Sequence, residues 1–200
     1  MADPAIVLAS ASPSRAAVLS AAGVDFICAP ADIDEGSVKL KLQRDGATGL
    51  QVAEVLAIEK ARAISARRPG QLVIGADQML ECDGVWYDKP TDMMGARKSL
   101  QTLRGQTHQL LASVCAVRDG LVLWSHNEVA RMTMRDFDDD FLTWYLEAAG
   151  PTVLQSVGAY RLEDIGAQLF ERIDGDYFTI LGLPLLPLLV YLRKEGALRQ

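Results

Sequence analysis

Residues 71–90 read QLVIGADQMLECDGVWYDKP, and this stretch decides the fold class. Residues 71–75 form a short apolar run that suits a buried strand. Asp83-Gly84, between residues 79–81 and 85–87, reads as a hairpin turn, because the favoured two-residue turn needs positive φ at both central positions. Asp88-Lys89-Pro90 then makes a rigid turn. The intervening Gly75-Ala76-Asp77-Gln78 is expected to close the first strand, leaving the Asp77 carboxylate at a sheet edge of the kind where α/β ligands commonly bind. Just upstream, residues 50–68 carry apolar side chains at helical spacing and stop at Pro69-Gly70. A helix, a buried strand and a hairpin in succession predict an α/β fold with a mixed, partly antiparallel sheet.

The rest of the chain extends that alternation. Towards the N-terminus, residues 5–9 read as a strand and Ser12-Pro13 as an N-cap with a first-turn proline. Residues 15–22 then read as a helix stopped by Gly23, and 24–29 as a second strand. Residues 31–49 are polar and acidic at their start and read mostly as loop. Downstream, 92–104 reads as a helix, 108–117 and 121–134 as a long hairpin about Asp119-Gly120, and 138–149 as a helix. Residues 167–173 and 177–181 read as strands, and 184–195 as a closing helix. Trp124, Trp144 and that last helix are expected in the core. No repeat or composition break divides residues 1–200, which read as a single domain, at most bilobed.

Composition narrows the function. The chain has 200 residues, half of them apolar, and a formal net charge of -6, which argues against a long polyanion or an anionic membrane as partner. The three cysteines, Cys28, Cys82 and Cys115, are widely spaced and form no CxxC, so a reducing cytoplasm is the simplest compartment. The opening residues lack a signal-peptide pattern, and the most apolar run, 181–192, holds Pro184 and Pro187 and falls short of the ~20 residues a bilayer span needs. Phosphate-loop, dinucleotide-binding and zinc-protease signatures are missing. Only His108 and His126 are present, so no multi-histidine metal site can form, and both read as structural. The acid run 136–140 reads as a helix cap.

Three features carry possible chemistry. Ser10-Ala11-Ser12-Pro13-Ser14-Arg15 joins a strand to a helix, where unpaired N–H groups, hydroxyls and an arginine suit an anion, although an ordinary cap has the same composition. Lys60 falls inside the apolar stripe of Val52, Ala53, Leu56, Ala63 and Ile64, so its ammonium must snorkel to water or meet an anion; the spacing leaves both open. Asp77, with the acidic loop Asp32, Asp34 and Glu35, supplies carboxylates that suit a hydrated divalent cation, with Arg15, Lys60 and Lys89 on phosphate oxygens.

In chain order these pieces resemble the Maf family of nucleoside triphosphate pyrophosphatases. The opening LASASPSR is similar to that family's LASxSPRR. Ile33–Glu35, Glu59–Ala61, Gly75–Asp77, Lys89-Pro90, GQTH at 105–108, GAY at 158–160 and the closing ERIDGDYFTILGLPL follow in order. The resemblance covers nearly the whole chain. It implies a two-lobed α/β domain, akin to inosine triphosphatases, with a long twisted mixed sheet, helices on its faces and the site in a cleft; dimers are common. It also implies hydrolysis of a nucleoside triphosphate at the α–β phosphate bond, aided by Mg²⁺ or Mn²⁺. On this reading Asp77 and Glu35 serve as base and metal anchors, and Ser10, Arg15, Lys60 and Lys89 hold phosphate.

Three positions depart from the family's commonest pattern. Ser14 replaces the first arginine of SPRR, Gln78 the threonine of GADT, and Glu163 the glutamine of GAYxIQG. Gln78 and Glu163 resemble the 7-methyl-GTP branch, which carries tryptophan at the position of Ser14. A carboxylate accepts two N–H groups from a guanine edge and favours a cationic ring, which points to 7-methyl-GTP; a dTTP/UTP-type pyrophosphatase is the alternative. A nucleotide-binding regulator of cell division with little turnover and a nucleic-acid-binding module are the readings from other classes. The acidic pI disfavours the latter.

Overall fold

A computed structural model describes residues 6–199 and shows a mixed seven-stranded sheet with helices packed on it. The strands are β1 (Ile6–Leu8), β2 (Ile27–Cys28), β3 (Leu72–Cys82), β4 (Val85–Tyr87), β5 (Thr107–Arg118), β6 (Leu121–Met134) and β7 (Phe170–Asp174). Their order is β2-β1-β3-β5-β6-β7, with β4 paired to β3. β1 runs parallel to β2 and to β3, Leu8 lying opposite Ile74, while β3–β4 and β6–β7 are antiparallel. The expected mixed α/β sheet is present.

The chain divides into two compact units. One comprises the described residues up to 78, 112–128 and those from 177 on; the other comprises 79–111 and 129–176. The first unit has the both-faces-buried character of parallel strands. Leu8, Ile74 and Val114 pack on one face with Leu19 of α1 (Pro13–Ala21) and with Leu188 and Leu192 of the closing helix. The alternate residues Val7, Val73 and Cys115 pack on the other face against Ala57, Ala61 and Ile64 of α3 (Gly49–Ser65). In the second unit α4 (Met93–Leu103) buries Leu100 and Leu103, and α5 (Asp139–Ala149) buries Leu142, Tyr145 and Leu146.

The caps are where local sequence places them. Ser12 accepts from the backbone N–H of Arg15, Thr48 and Gln51 form a capping box, and Asp92 and Asp138 cap α4 and α5. Both Asp-Gly turns adopt positive φ at both residues, with Asp83 at 49° and Gly84 at 76°, Asp119 at 50° and Gly120 at 77°.

Five expectations are corrected. β3 runs unbroken through Gly75-Ala76-Asp77-Gln78, so Asp77 stands within a strand and not past its end. Gly75 is no strand breaker: a Cβ there would lie 2.1 Å from the Ala57 carbonyl oxygen, so this glycine exists to let α3 approach. Residues 31–49 contain a ten-residue helix, α2 (Glu35–Arg44), that buries none of its side chains and so has no apolar stripe to read. Its ends are capped, Asp34 accepting from the Ser37 N–H at 3.0 Å and Lys41 and Arg44 occupying the last turn. Residues 177–181 form no strand but a single helical turn, α6 (Tyr177–Ile180), and the strand expected at 167–173 is preceded by a 3-10 segment, Ile165–Leu169. Trp144 is 45% exposed, on the outer side of α5. Trp124 does pack on the core, and α7 (Leu185–Lys194) buries Leu185, Leu188, Tyr191 and Leu192.

Candidate active site

The close approach of α3 to β3 builds the first part of the site. Gly75 and Asp77 share a strand face by the two-residue period, and that face meets Ala57 and Ala61. Small residues there bring the helix near enough for Lys60 to reach the strand. Its ammonium donates to Asp77 Oδ1 at 2.6 Å and pairs with Glu35 Oε1 at 2.9 Å. Lys60 and Asp77 are buried, whereas the Glu35 side chain is 45% exposed. The question left open by the helical wheel is thus answered: Lys60 does not snorkel, it meets two carboxylates. One N–H of the ammonium, Asp77 Oδ2 and Glu35 Oε2 have no hydrogen-bond partner among the described residues.

Arg15 builds the second part. Its Nε donates to the Gly182 carbonyl at 2.7 Å, and its Nη1 donates to the Ala76 carbonyl at 2.9 Å and to Ser10 Oγ at 3.1 Å. Ser10 Oγ also accepts the Ser12 N–H at 3.2 Å. Three of the five guanidinium N–H groups are therefore committed, and Nη2 has no acceptor among the described residues. Burial lowers the Arg15 pKa from its usual value, against the opposing pull of the Asp77 and Glu35 charges. The guanidinium remains a cation, fixed beside Asp77 by its bond to the neighbouring carbonyl.

Gln78 is half-buried, and its amide nitrogen donates to the carbonyls of Thr179 at 2.9 Å and Ile180 at 3.2 Å. That leaves its Oε1 without a partner among the described residues, facing any ligand as an acceptor only. The structure thus brings Ser10, Arg15, Glu35, Lys60, Asp77 and Gln78 into one neighbourhood of the first unit. Ser14 lies in the first turn of α1, one residue before Arg15. Lys89, exposed after β4, and Glu163 belong to the second unit. Glu163 Oε1 accepts two bonds from Arg161, Nε at 3.1 Å and Nη2 at 3.0 Å.

Sequence reading missed the backbone part of the site. The carbonyls of Ala76, Thr179, Ile180 and Gly182 orient Arg15 and Gln78, and main-chain acceptors leave no signature in residue type. One signal was available: Gly182 ends the run YFTILG, where a helix-closing glycine belongs.

The chain is similar to known proteins over nearly its whole length. The sequence profile described as "Maf-like protein" matches residues 5–195. A "Nucleoside triphosphate pyrophosphatase" of Paramagnetospirillum magneticum is 53% identical over 96% of this chain and 99% of its own length. A "7-methyl-GTP pyrophosphatase" of Brucella abortus is 52% identical over 95% of this chain and 96% of its own. Another of that description, from Mesorhizobium japonicum, is 52% identical over 96% and 97%.

Proposed function

The chain belongs to the Maf-like protein family, and from that premise we propose that it hydrolyses a nucleoside triphosphate between the α- and β-phosphates, releasing a nucleoside monophosphate and pyrophosphate. One observation carries the reading at the level of chemistry. A buried lysine is bracketed by two carboxylates, beside a guanidinium whose Nη2 is uncommitted. Anion-binding donors and a base thereby share one site, as attack on a phosphoanhydride requires.

Arg15 Nη2 and the third N–H of Lys60 take phosphate oxygens and offset the charge that develops on the leaving pyrophosphate. Because the Arg15 fork is preset by three protein acceptors, little reorganisation accompanies binding. Ser10 donates its hydroxyl proton to a phosphate oxygen while accepting from Arg15. Asp77 Oδ2 accepts the proton of the attacking water, and Lys60 holds the other oxygen of that carboxylate in place. The donor set also fits a divalent cation. Asp77 and Glu35 are hard oxygen ligands, each with one oxygen lacking a protein partner, and no group of three or more metal-ligating side chains is found among the described residues. Such a pair suits Mg²⁺ or Mn²⁺, which takes its remaining ligands from water and substrate; when bound it would polarise the phosphoryl oxygens.

For the base, 7-methyl-GTP is the proposed substrate. Relatives about half identical carry that description, and Gln78 suits a guanine edge. Gln78 offers only its carbonyl oxygen, an acceptor for an N–H; Glu163, whose Oε1 is paired with Arg161, is the second proposed specificity residue. Uracil and thymine, with two carbonyls and one N–H, match these acceptors less well. The three cysteines are unpaired and no described helix is long and apolar enough to cross a membrane, which accords with the cytoplasm.

The test is a panel of 7-methyl-GTP, GTP, dTTP, UTP and CTP with Mg²⁺ or Mn²⁺, monitored for pyrophosphate. The wild type releases it, fastest from 7-methyl-GTP, and Asp77→Asn loses roughly 100-fold or more in kcat. Release of orthophosphate alone, or equal rates for Asp77→Asn and wild type, overturns the reading.

A further inference from the structure

The short turn that follows β7 is held in a way its length does not explain. α6 is only four residues long, and its end is closed by two backbone bonds, Leu183 N–H to the Phe178 carbonyl at 3.1 Å and Gly182 N–H to the Thr179 carbonyl at 3.0 Å. With Gly182 at φ +90°, this is the pattern of a Schellman closure. The carbonyls of this turn are the acceptors that orient the site: Gly182 takes Arg15 Nε, and Thr179 and Ile180 take the Gln78 amide. A turn this short is not stable alone, so its position must come from elsewhere.

Leu183 is fully buried, and Phe178 and Leu181 pack beside it on the core; Thr179 adds a polar fixing point. It is fully buried, and its hydroxyl donates to Glu128 Oε2 on β6 at 2.9 Å. Glu128 is anchored in the sheet, and an O–H donated to a carboxylate is among the stronger hydrogen bonds. A continuous set of bonds thus runs from Glu128 to the Thr179 hydroxyl, through the Thr179–Gly182 backbone, to Gln78 and Arg15. Arg15 is the group whose remaining N–H pair is available for phosphate.

We propose that Glu128 and Thr179 are positioning residues for the triphosphate-binding Arg15 and for Gln78, acting through the carbonyls of the 179–182 turn and not by touching substrate. The inference rests on the pyrophosphatase reading above. Losing the hydroxyl frees the turn to shift, and a guanidinium fork that must also satisfy Ala76 and Ser10 then aims its Nη2 differently. Sub-ångström displacement of a positioning group is enough to weaken substrate binding.

The experiment compares Thr179→Val, nearly the same shape without the donor, with Thr179→Ser, which keeps it. Glu128→Gln retains an acceptor for the hydroxyl but discards the charge that lies 3.7 Å from His126 Nε2, whereas Glu128→Ala removes both. Steady-state pyrophosphate release is measured with thermal melting. In Thr179→Val and Glu128→Ala, KM for the triphosphate rises roughly three- to tenfold with a smaller change in kcat, as coupled neighbours do. Thr179→Ser and Glu128→Gln stay within about twofold of wild type. In the Thr179→Val background, Arg15→Ala raises KM by a smaller factor than it does in wild type, because the two changes remove part of the same grip.

The proposal is overturned if Thr179→Val lowers the melting temperature while KM and kcat stay at wild-type values, if Thr179→Ser fails to restore KM, or if the effects of Thr179→Val and Arg15→Ala multiply in full. Should wild type release no pyrophosphate from any triphosphate, the functional reading itself fails; these outcomes are read only against an active wild type.

Discussion

Each of the two units buries a polar cluster, and the two clusters are built on opposite plans. In the first unit Lys60 lies between Asp77 and Glu35, three formal charges of which two are nearly inaccessible and one reaches solvent. In the second, His108 is fully buried with its Nε2 2.7 Å from the Tyr160 hydroxyl, and the Tyr145 hydroxyl donates to the Ala159 carbonyl at 3.2 Å. Burial pushes the His108 pKa down to about 4 and both tyrosine pKa values up. Every group there is held neutral, and Nδ1 of His108 has no partner among the described residues to receive a second proton's N–H. Phe170 lies against both His108 and Tyr160, with ring centroids 6.0 and 4.8 Å away. A charged, partly open cluster keeps donors and acceptors in reserve for a ligand; a neutral, sealed one spends them on packing.

The comparison is most exposed at Lys60. Lys60→Met removes the ion-pair partner of buried Asp77, leaving only Arg15 as a nearby cation, and should destabilise the protein by about 3 kcal/mol in urea denaturation. Adding Asp77→Asn should recover most of that loss, since the uncompensated charge is gone. If Lys60→Met alone is neutral, the first cluster is not held by charge and the contrast fails.

Acid sharpens the other side. The His108 pKa is depressed by folding, so between its unfolded value near 6.5 and about 4 the unfolded chain binds the extra proton. The contribution is fully present above pH 6.5 and is lost as pH falls towards 4, with a magnitude of about 3 kcal/mol. His108→Leu should flatten that part of the stability–pH curve. At pH 7 the same substitution costs about 1–3 kcal/mol by stranding the Tyr160 hydroxyl, and Tyr160→Phe should restore much of it. A variant whose acid profile matches wild type would show that the sealed cluster does not govern acid stability.

The smallest effect is expected one residue outside that cluster. Trp144 neighbours Tyr145 on α5 but is 45% exposed. Trp144→Ala should cost less than about 1 kcal/mol in the same denaturation assay, against the 3–5 kcal/mol usual for a buried large aromatic. A core-sized loss would extend the sealed cluster to the outer side of the helix.

Much of this was legible along the chain. Ser12 and, from the 136–140 acid run, Asp138 cap helices because a cap is a contact over three residues, and the Asp-Gly turns fold as read because positive φ is a property of the residues themselves. Lys60 was conspicuous as a lysine inside an apolar stripe. What local pattern hid was of three kinds. α2 buries nothing and so shows no periodicity; α6 is too short for any period; and Gly75, which resembles a breaker, serves a helix packed across the strand.

Residue order therefore determined the α/β class, the helix ends, the hairpins and the set of chemically able side chains, because each of these depends on neighbours within a few positions. Only the folded chain decided that Lys60 would meet Asp77 and Glu35, that Arg15 would be aimed by the carbonyls of Ala76 and Gly182, and that His108 would remain uncharged. Those outcomes depend on distance and desolvation between segments far apart in sequence, and neither quantity exists until the sheet brings the segments together.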